Sequence, residues 1–320
     1  MRARRTLYAL ISANKAKTAL FIVAISLLLG LVGYALGWYL RWGTGMYVLF
    51  GLFIVLYNLV LYYNSDKLAL AVNGAHPADP DQFRQLHNVV EEVAIAAGIP
   101  KPRVYVIDSE SPNAFATGRN PQHASIAVTR GLLEIMNREE LQGVIAHEVS
   151  HIRNYDILVM TVVAIIGGLI VLFRDIFLRT SLFGMGGRRR GSSRGGGQLG
   201  LFLVLIGIVL AIISPLLVAL IRAAISRQRE YLADASGAYI VRNPYGLASA
   251  LAKLGQASGR LQGASAATAH MFIASPFGKD RTTSVADWFA THPPLAERIR
   301  RLRSLTLSPE EAADERLSAG

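Results

Sequence analysis

His147, Glu148 and His151 stand in the order His-Glu-Val-Ser-His. The surrounding run, Glu139 to Met160, reads as one helix, and on a helix positions i and i+4 share a face. The two imidazoles can therefore aim at a single metal ion. Glu148, one residue along, can reach a water on that ion without being a ligand itself. Two imidazoles, an open coordination position and a carboxylate that takes the water's proton are the parts of a zinc hydrolase. A five-residue pattern also arises by chance, and a helical histidine pair can be an ordinary surface pair, so the rest of the chain must decide.

A catalytic zinc takes three protein ligands and keeps one position open. Glu230, in Arg229-Glu230-Tyr231-Leu232-Ala233-Asp234, is the best third ligand. It follows an apolar hairpin that would return the chain to the membrane face it left. The plain alternative is a surface glutamate paired with Arg227 or Arg229. Asp234 favours the site, because it lies at i+4 from Glu230 and could accept the free N–H of a ligand histidine, fixing its tautomer. The 320 residues contain no cysteine, so any metal site must use nitrogen and oxygen. His76, His87, His123 and His270 have no acidic or histidine partner nearby in sequence and read as structural.

The elements that must position these groups are set by an apolar composition. Hydrophobic residues make up 52% of the chain and charged residues only 17%, below the quarter usual for a soluble domain. The formal net charge is +11. The basic residues sit beside apolar runs, which fits lipid headgroups rather than nucleic acid. Residues 1–63 read as a basic N-terminal segment and a transmembrane hairpin. Its spans are Thr18 to Gly37 and Met46 to Tyr63, each uncharged, with Trp38, Tyr39, Trp42, Tyr62 and Tyr63 at the boundaries. Arg2, Arg4, Arg5, Lys15 and Lys17 precede the first span, against Arg41 alone in the connector, which places the N-terminus in the cytoplasm.

Residues 64–156 read as the first soluble part. It holds a helix at Asp79–Ala97 capped by Gly98, strands at Arg103–Asp108, Ala114–Thr117 and Ser125–Thr129, and Asn137 with Glu140 as an N-terminal cap for the motif helix. That helix is expected to run on into the apolar stretch 157–173. A Gly/Arg-rich loop (174–198) and a further apolar run (199–221) complete a second hairpin, either two spans or re-entrant, with two spans preferred. Residues 222–305 read as the second soluble part, with Gly255 to Ala286 as a flap or loop, and 306–320 as a polar tail.

His-Glu-x-x-His entering an apolar hairpin, then Arg-Glu-Tyr-Leu-Ala-Asp, then Thr291-His292-Pro293-Pro294-Leu295-Ala296-Glu297-Arg298, resembles the membrane gluzincin family of the HtpX-type heat-shock proteases and the CAAX prenyl proteases. The likeness covers nearly the whole chain. It implies an α-helical membrane protein with a mainly helical α+β zincin-like domain on the cytoplasmic face of the cytoplasmic (inner) membrane. It also implies one zinc ion per chain and cleavage of misfolded or damaged membrane proteins in quality control. Carried over by position, it assigns His147, His151 and Glu230 to zinc and Glu148 to general base. His292 would stabilise the oxyanion, Asn113 would bind substrate on an edge strand, and Arg298 would hold a substrate carbonyl. A non-catalytic zinc-fold scaffold and a prenyl-peptide protease are the alternatives. A small transporter is disfavoured because no ionisable residue interrupts the apolar runs.

Overall fold

The computed structural model describes residues 7–39, 41–162, 227–257, 271–274 and 293–305. Among them, helices α1 (Leu7–Tyr39) and α2 (Thr44–Val72) come first, followed by β1 (Ala75–Pro77), α3 (Arg84–Ala97), β2 (Arg103–Ile107), β3 (Ala114–Asn120) and β4 (His123–Thr129). Then come α4 (Arg130–Ile135) and α5 (Arg138–Arg153), and later in the chain α6 (Arg227–Val241), α7 (Pro244–Gln256) and α8 (Leu295–Ser304). The result is a mostly helical chain around one small sheet. Residues 163–226, including the Gly/Arg-rich loop, and His292 lie outside the described residues.

Alternation along the strands gives the sheet two apolar faces. Its order is β1-β2-β4-β3, with β2 and β4 parallel and the outer pairs antiparallel. Val104, Val106, Ala114, Ala116, Ile126 and Val128 point to one side and join the buried faces of α3, α5 and α7. Ile107, Phe115 and Ala127 point to the other, where Ala69 and Leu70 of α2 meet Met271 and Phe272. Each fully buried branched aliphatic here contributes about 1.5–3 kcal/mol.

Local signals explain where the elements start and stop. Asn137 accepts from the Glu140 N–H while Glu140 accepts from the Asn137 N–H, a complete capping box. Gly98 ends α3 at φ 69°, ψ 37°, the left-handed conformation glycine adopts without strain.

Three expectations need correction. The motif helix does not continue unbroken: α5 ends at Arg153, Tyr155 takes φ 59°, and helix resumes at 156. The flap reading of Gly255 to Ala286 fails at 271–274, where Phe272 pairs with Phe115 of β3 and Met271, Phe272 and Ile273 are buried. Helix also persists beyond the expected span end at Tyr63, to Val72, where Ser65, Asp66, Ala69 and Leu70 pack inward.

Both N-terminal apolar stretches fall within α1 and α2. Among the described residues no single helix is long and apolar enough to cross a membrane; Thr44–Val60 and Tyr62–Val72, bent by 63°, are so together.

Candidate metal centre

Two helices bring the predicted ligands together. α5 carries His147, Glu148 and His151 on its buried face, and α6 packs against it with Glu230, Asp234 and Gly237 in one stripe. Gly237 suits that approach: a Cβ there would lie 3.0 Å from the His147 backbone nitrogen, a tight contact with backbone. The ligand atoms of His147, His151 and Glu230 all lie within 4.8 Å of one another, and all three residues are buried.

The donor set and spacing fit a zinc ion. Metal–nitrogen bonds of about 2.0–2.1 Å at tetrahedral angles set two ligand atoms about 3.3 Å apart. Here His147 Nε2 and His151 Nε2 are 3.2 Å apart, and their closest Glu230 oxygens lie at 3.8 and 3.6 Å. Charge fits as well. Four carboxylates (Glu148, Asp156, Glu230 and Asp234) surround the site against the guanidiniums of Arg229 and Arg298, and a divalent ion neutralises the excess.

Each histidine is held from behind by a carboxylate. Asp234 Oδ1 lies 2.9 Å from His147 Nδ1, and Asp156 Oδ2 lies 3.0 Å from His151 Nδ1. In the neutral form that binds a metal, an Nδ1–H donated to each carboxylate would leave each Nε2 lone pair facing the centre. Sequence reasoning named Asp234 and missed Asp156. On an unbroken helix i+5 lies about 140° round from i, so only the break at Asn154–Tyr155 turns Asp156 back to His151.

Burial governs the protonation of these groups. It pushes the Glu148 carboxyl up to about 7, helped by the nearby Glu230 charge and opposed by His151 and the Ala116 backbone N–H. Burial pulls His147 down, against the Asp234 carboxylate. For His151 burial is outweighed by Asp156, Glu230 and Glu148, which hold it up at about 9. For Asp234 burial is outweighed by Arg298, which holds the carboxyl below its ordinary value.

The Arg298 side chain is wholly buried. Nε and Nη2 donate to the two Asp234 oxygens at 2.8 and 2.7 Å, and Nη1 donates to the Ile273 carbonyl at 2.9 Å. Asn113 is buried at the start of β3. Its Nδ2 donates to the Ala274 carbonyl at 3.0 Å, and its Oδ1 accepts from the Ala274 and Ala114 N–H groups. Both side chains are therefore engaged by other residues of the chain. β3 is the last strand of the sheet, its outer edge is paired with the 271–274 segment at Phe115, and its Ala116 N–H bonds toward Glu148.

Comparison with known proteins gives this geometry its family. The model of peptidase family M48 matches residues 80–306, and the chain belongs to that family of metalloproteases. The match runs from just ahead of α3 to just beyond α8 and so takes in His147, Glu148, His151, Asp156, Glu230, Asp234 and Arg298. A protein named as a protease HtpX homolog from Caldanaerobacter subterraneus subsp. tengcongensis is 61% identical over 304 residues, 95% of this chain and 99% of that protein. The one from Thermoanaerobacter pseudethanolicus is 58% identical over the same shares. The one from Streptococcus uberis is 39% identical over 93% of this chain and all of its own length. The crystal structure of S. mikatae Ste24p is a looser likeness, with TM-score 0.46 and 20% identity over 92% of this chain and 66% of that one.

Proposed function

We propose that the chain is a membrane-embedded zinc endopeptidase that hydrolyses peptide bonds of unfolded or damaged membrane proteins at a site facing the cytoplasm. The observation that carries this reading is the buried convergence of His147, His151 and Glu230 beside Glu148.

When bound, zinc lowers the pKa of a water toward about 7 and polarises the peptide carbonyl. The remaining roles fall to the chain. His147, His151 and Glu230 hold the ion, with Asp234 and Asp156 fixing the two imidazoles. Glu148 takes a proton from the attacking water and passes it to the leaving amine. Burial lifts its carboxyl toward neutrality, which suits both steps. The charge of a bound divalent ion acts in the same direction as His151 and lowers it. Arg298 neutralises Asp234 and ties it to the 271–274 segment, so it orients His147 from behind. An extended peptide would add along the outer edge of β3 in place of the 271–274 segment, which pairs there at Phe115 and is tied down by Asn113; the Ala116 N–H marks the side facing Glu148. His292, by family resemblance, would stabilise the developing oxyanion.

The membrane reading is supported by side chains that α1 and the first part of α2 leave exposed, among them Leu27, Leu31, Trp38, Leu49, Leu52 and Phe53. A contiguous apolar surface of this kind suits lipid. On this reading residues 1–63 form the N-terminal anchor, and 64–156 with 222–305 form the two parts of the protease domain.

Metal content tests the ligand set. Glu230→Ala is expected to bind at least tenfold less zinc at equilibrium than the unaltered protein, measured by chelator competition. Unchanged affinity would place the third ligand elsewhere.

A further inference from the structure

Helix α1 reaches the metal centre through Asn14. Asn14 is buried, although it stands near the start of a helix whose described side chains are largely exposed. Its Nδ2 donates to the Asn154 carbonyl at 2.8 Å and to Asp156 Oδ1 at 2.7 Å. Its Oδ1 accepts from Arg229 Nη2 at 2.7 Å. Arg229 closes the triangle, with Nε 3.0 Å from the same Asp156 oxygen. Asp156 holds His151 through its other oxygen, and Arg229 directly precedes Glu230. Asn14 thus touches the supports of two ligand-bearing segments that lie more than seventy residues apart in sequence.

We propose that Asn14 is a positioning residue for the metal centre, and that docking of α1 at this point sets the aim of His151 and Glu230. The inference rests on the zinc reading given above. The amide suits the position in one orientation only. Turned over, its oxygen would face the Asn154 carbonyl and the Asp156 carboxylate, and its NH2 would face a guanidinium. An apolar residue of the same size would leave Asp156 Oδ1, the Asn154 carbonyl and Arg229 Nη2 short of a partner in a buried site, which such groups tolerate poorly. One further contact brings α1 to the same turn: Lys15 Nζ sits 4.5 Å from the Tyr155 ring centroid. Tyr155 holds a positive φ at this contact, so the turn that aims Asp156 and the docking of α1 coincide. The same helix carries the exposed apolar face toward its other end. A shift of α1 in its surroundings is therefore transmitted to the metal ligands through Asn14.

The test uses the full-length protein in detergent and two readouts: zinc affinity by competition with a chelating indicator, and the visible spectrum of the cobalt(II)-loaded protein. Asn14→Leu and Asn14→Asp are compared with Glu230→Ala and with Ser26→Ala, which removes the Asn58 contact between α1 and α2 away from the centre. Asn14→Asp keeps size and packing and so reports even where Asn14→Leu folds poorly. Direct carboxylate supports of metal-bound histidines are worth about 10–100-fold in affinity. Acting one step further out, the Asn14 variants are expected to lose about tenfold and to change the cobalt band, while Ser26→Ala changes neither. Wild-type affinity and band in both Asn14 variants, with zinc lost in Glu230→Ala, would overturn the positioning role and leave the zinc reading standing. An equal effect from Ser26→Ala would overturn it too, by showing general loosening of α1. No zinc loss even in Glu230→Ala would overturn both.

Discussion

Glu148 stands apart from the other buried carboxylates of the site because, among the described residues, no arginine or lysine pairs with it directly. Asp156 has Arg229, Asp234 has Arg298, and Glu148 has the Ala116 N–H and the field of His151. A group so placed can cycle between charged and neutral forms during turnover. Glu148→Gln is expected to retain zinc and lose peptide cleavage by about 10²–10⁴-fold in kcat, the usual worth of a positioned base. Cleavage at the wild-type rate in a zinc-loaded Glu148→Gln protein would remove its role. Asp156→Asn tests the support behind His151: about 10–100-fold weaker zinc binding is expected, read by chelator competition. Much of this site is legible in the sequence, since the spacing of His147 and His151 and of Glu230 and Asp234 is a local property of a helix. Asp156 and Asn14 are not. Their contacts depend on a break in the chain at Asn154–Tyr155 and on the docking of a helix more than a hundred residues away, and neither leaves a periodic signal.

At the scale of elements, α5 is the hub, and its fit depends on places where another helix comes within van der Waals reach. A Cβ on Gly143 would lie 2.5 Å from the Leu247 backbone nitrogen of α7. Backbone cannot swing aside as a side chain can, so Gly143→Ala is expected to destabilise by about 1–3 kcal/mol in chemical denaturation. A stability equal to wild type would show that α7 has room to move. The capping box of α5 also ties it to α7, because Glu140 accepts from Ser249 and from Lys253 Nζ, both at 2.6 Å. Burial alone would raise the Glu140 carboxyl, but the Lys253, Ser249 and Asn137 bonds outweigh it and hold its pKa below the ordinary 4.5. A carboxyl lowered on folding contributes stability that is fully present above its unfolded value and lost as pH falls through the folded one. The stability difference between wild type and Glu140→Gln should therefore be constant from pH 6 to 8 and shrink below about pH 4.5. A difference that does not change with pH would contradict the charge-based account. The Asn137 cap, the Gly98 stop and the three longer strands are legible because each has its own local chemistry. β1 and α4 are too short for a period to show, and the buried turn at Phe272 is fixed by β3 rather than by its own sequence.

For the whole molecule, the chain divides into a face made for apolar surroundings and a polar-lined, buried metal centre, with Asn14 joining them. The exposed apolar side chains of α1 and α2 predict that the protein stays with the membrane fraction after an alkaline carbonate wash. Recovery in the soluble fraction would contradict the anchor. Charge near apolar runs made the membrane reading available from composition. The sheet that aims β3 at Glu148 was visible only as separate extended stretches, since its parallel pairing of β2 with β4 is a long-range choice.

The most direct test of the account is zinc-dependent proteolysis. The detergent-purified protein would be stripped with a chelator, zinc added back, and cleavage of an unfolded protein followed beside Glu148→Ala. The account predicts cleavage by the zinc-restored wild type, none by the stripped protein, and zinc uptake without cleavage by Glu148→Ala. Cleavage that survives chelation, or that persists in zinc-loaded Glu148→Ala, would contradict it.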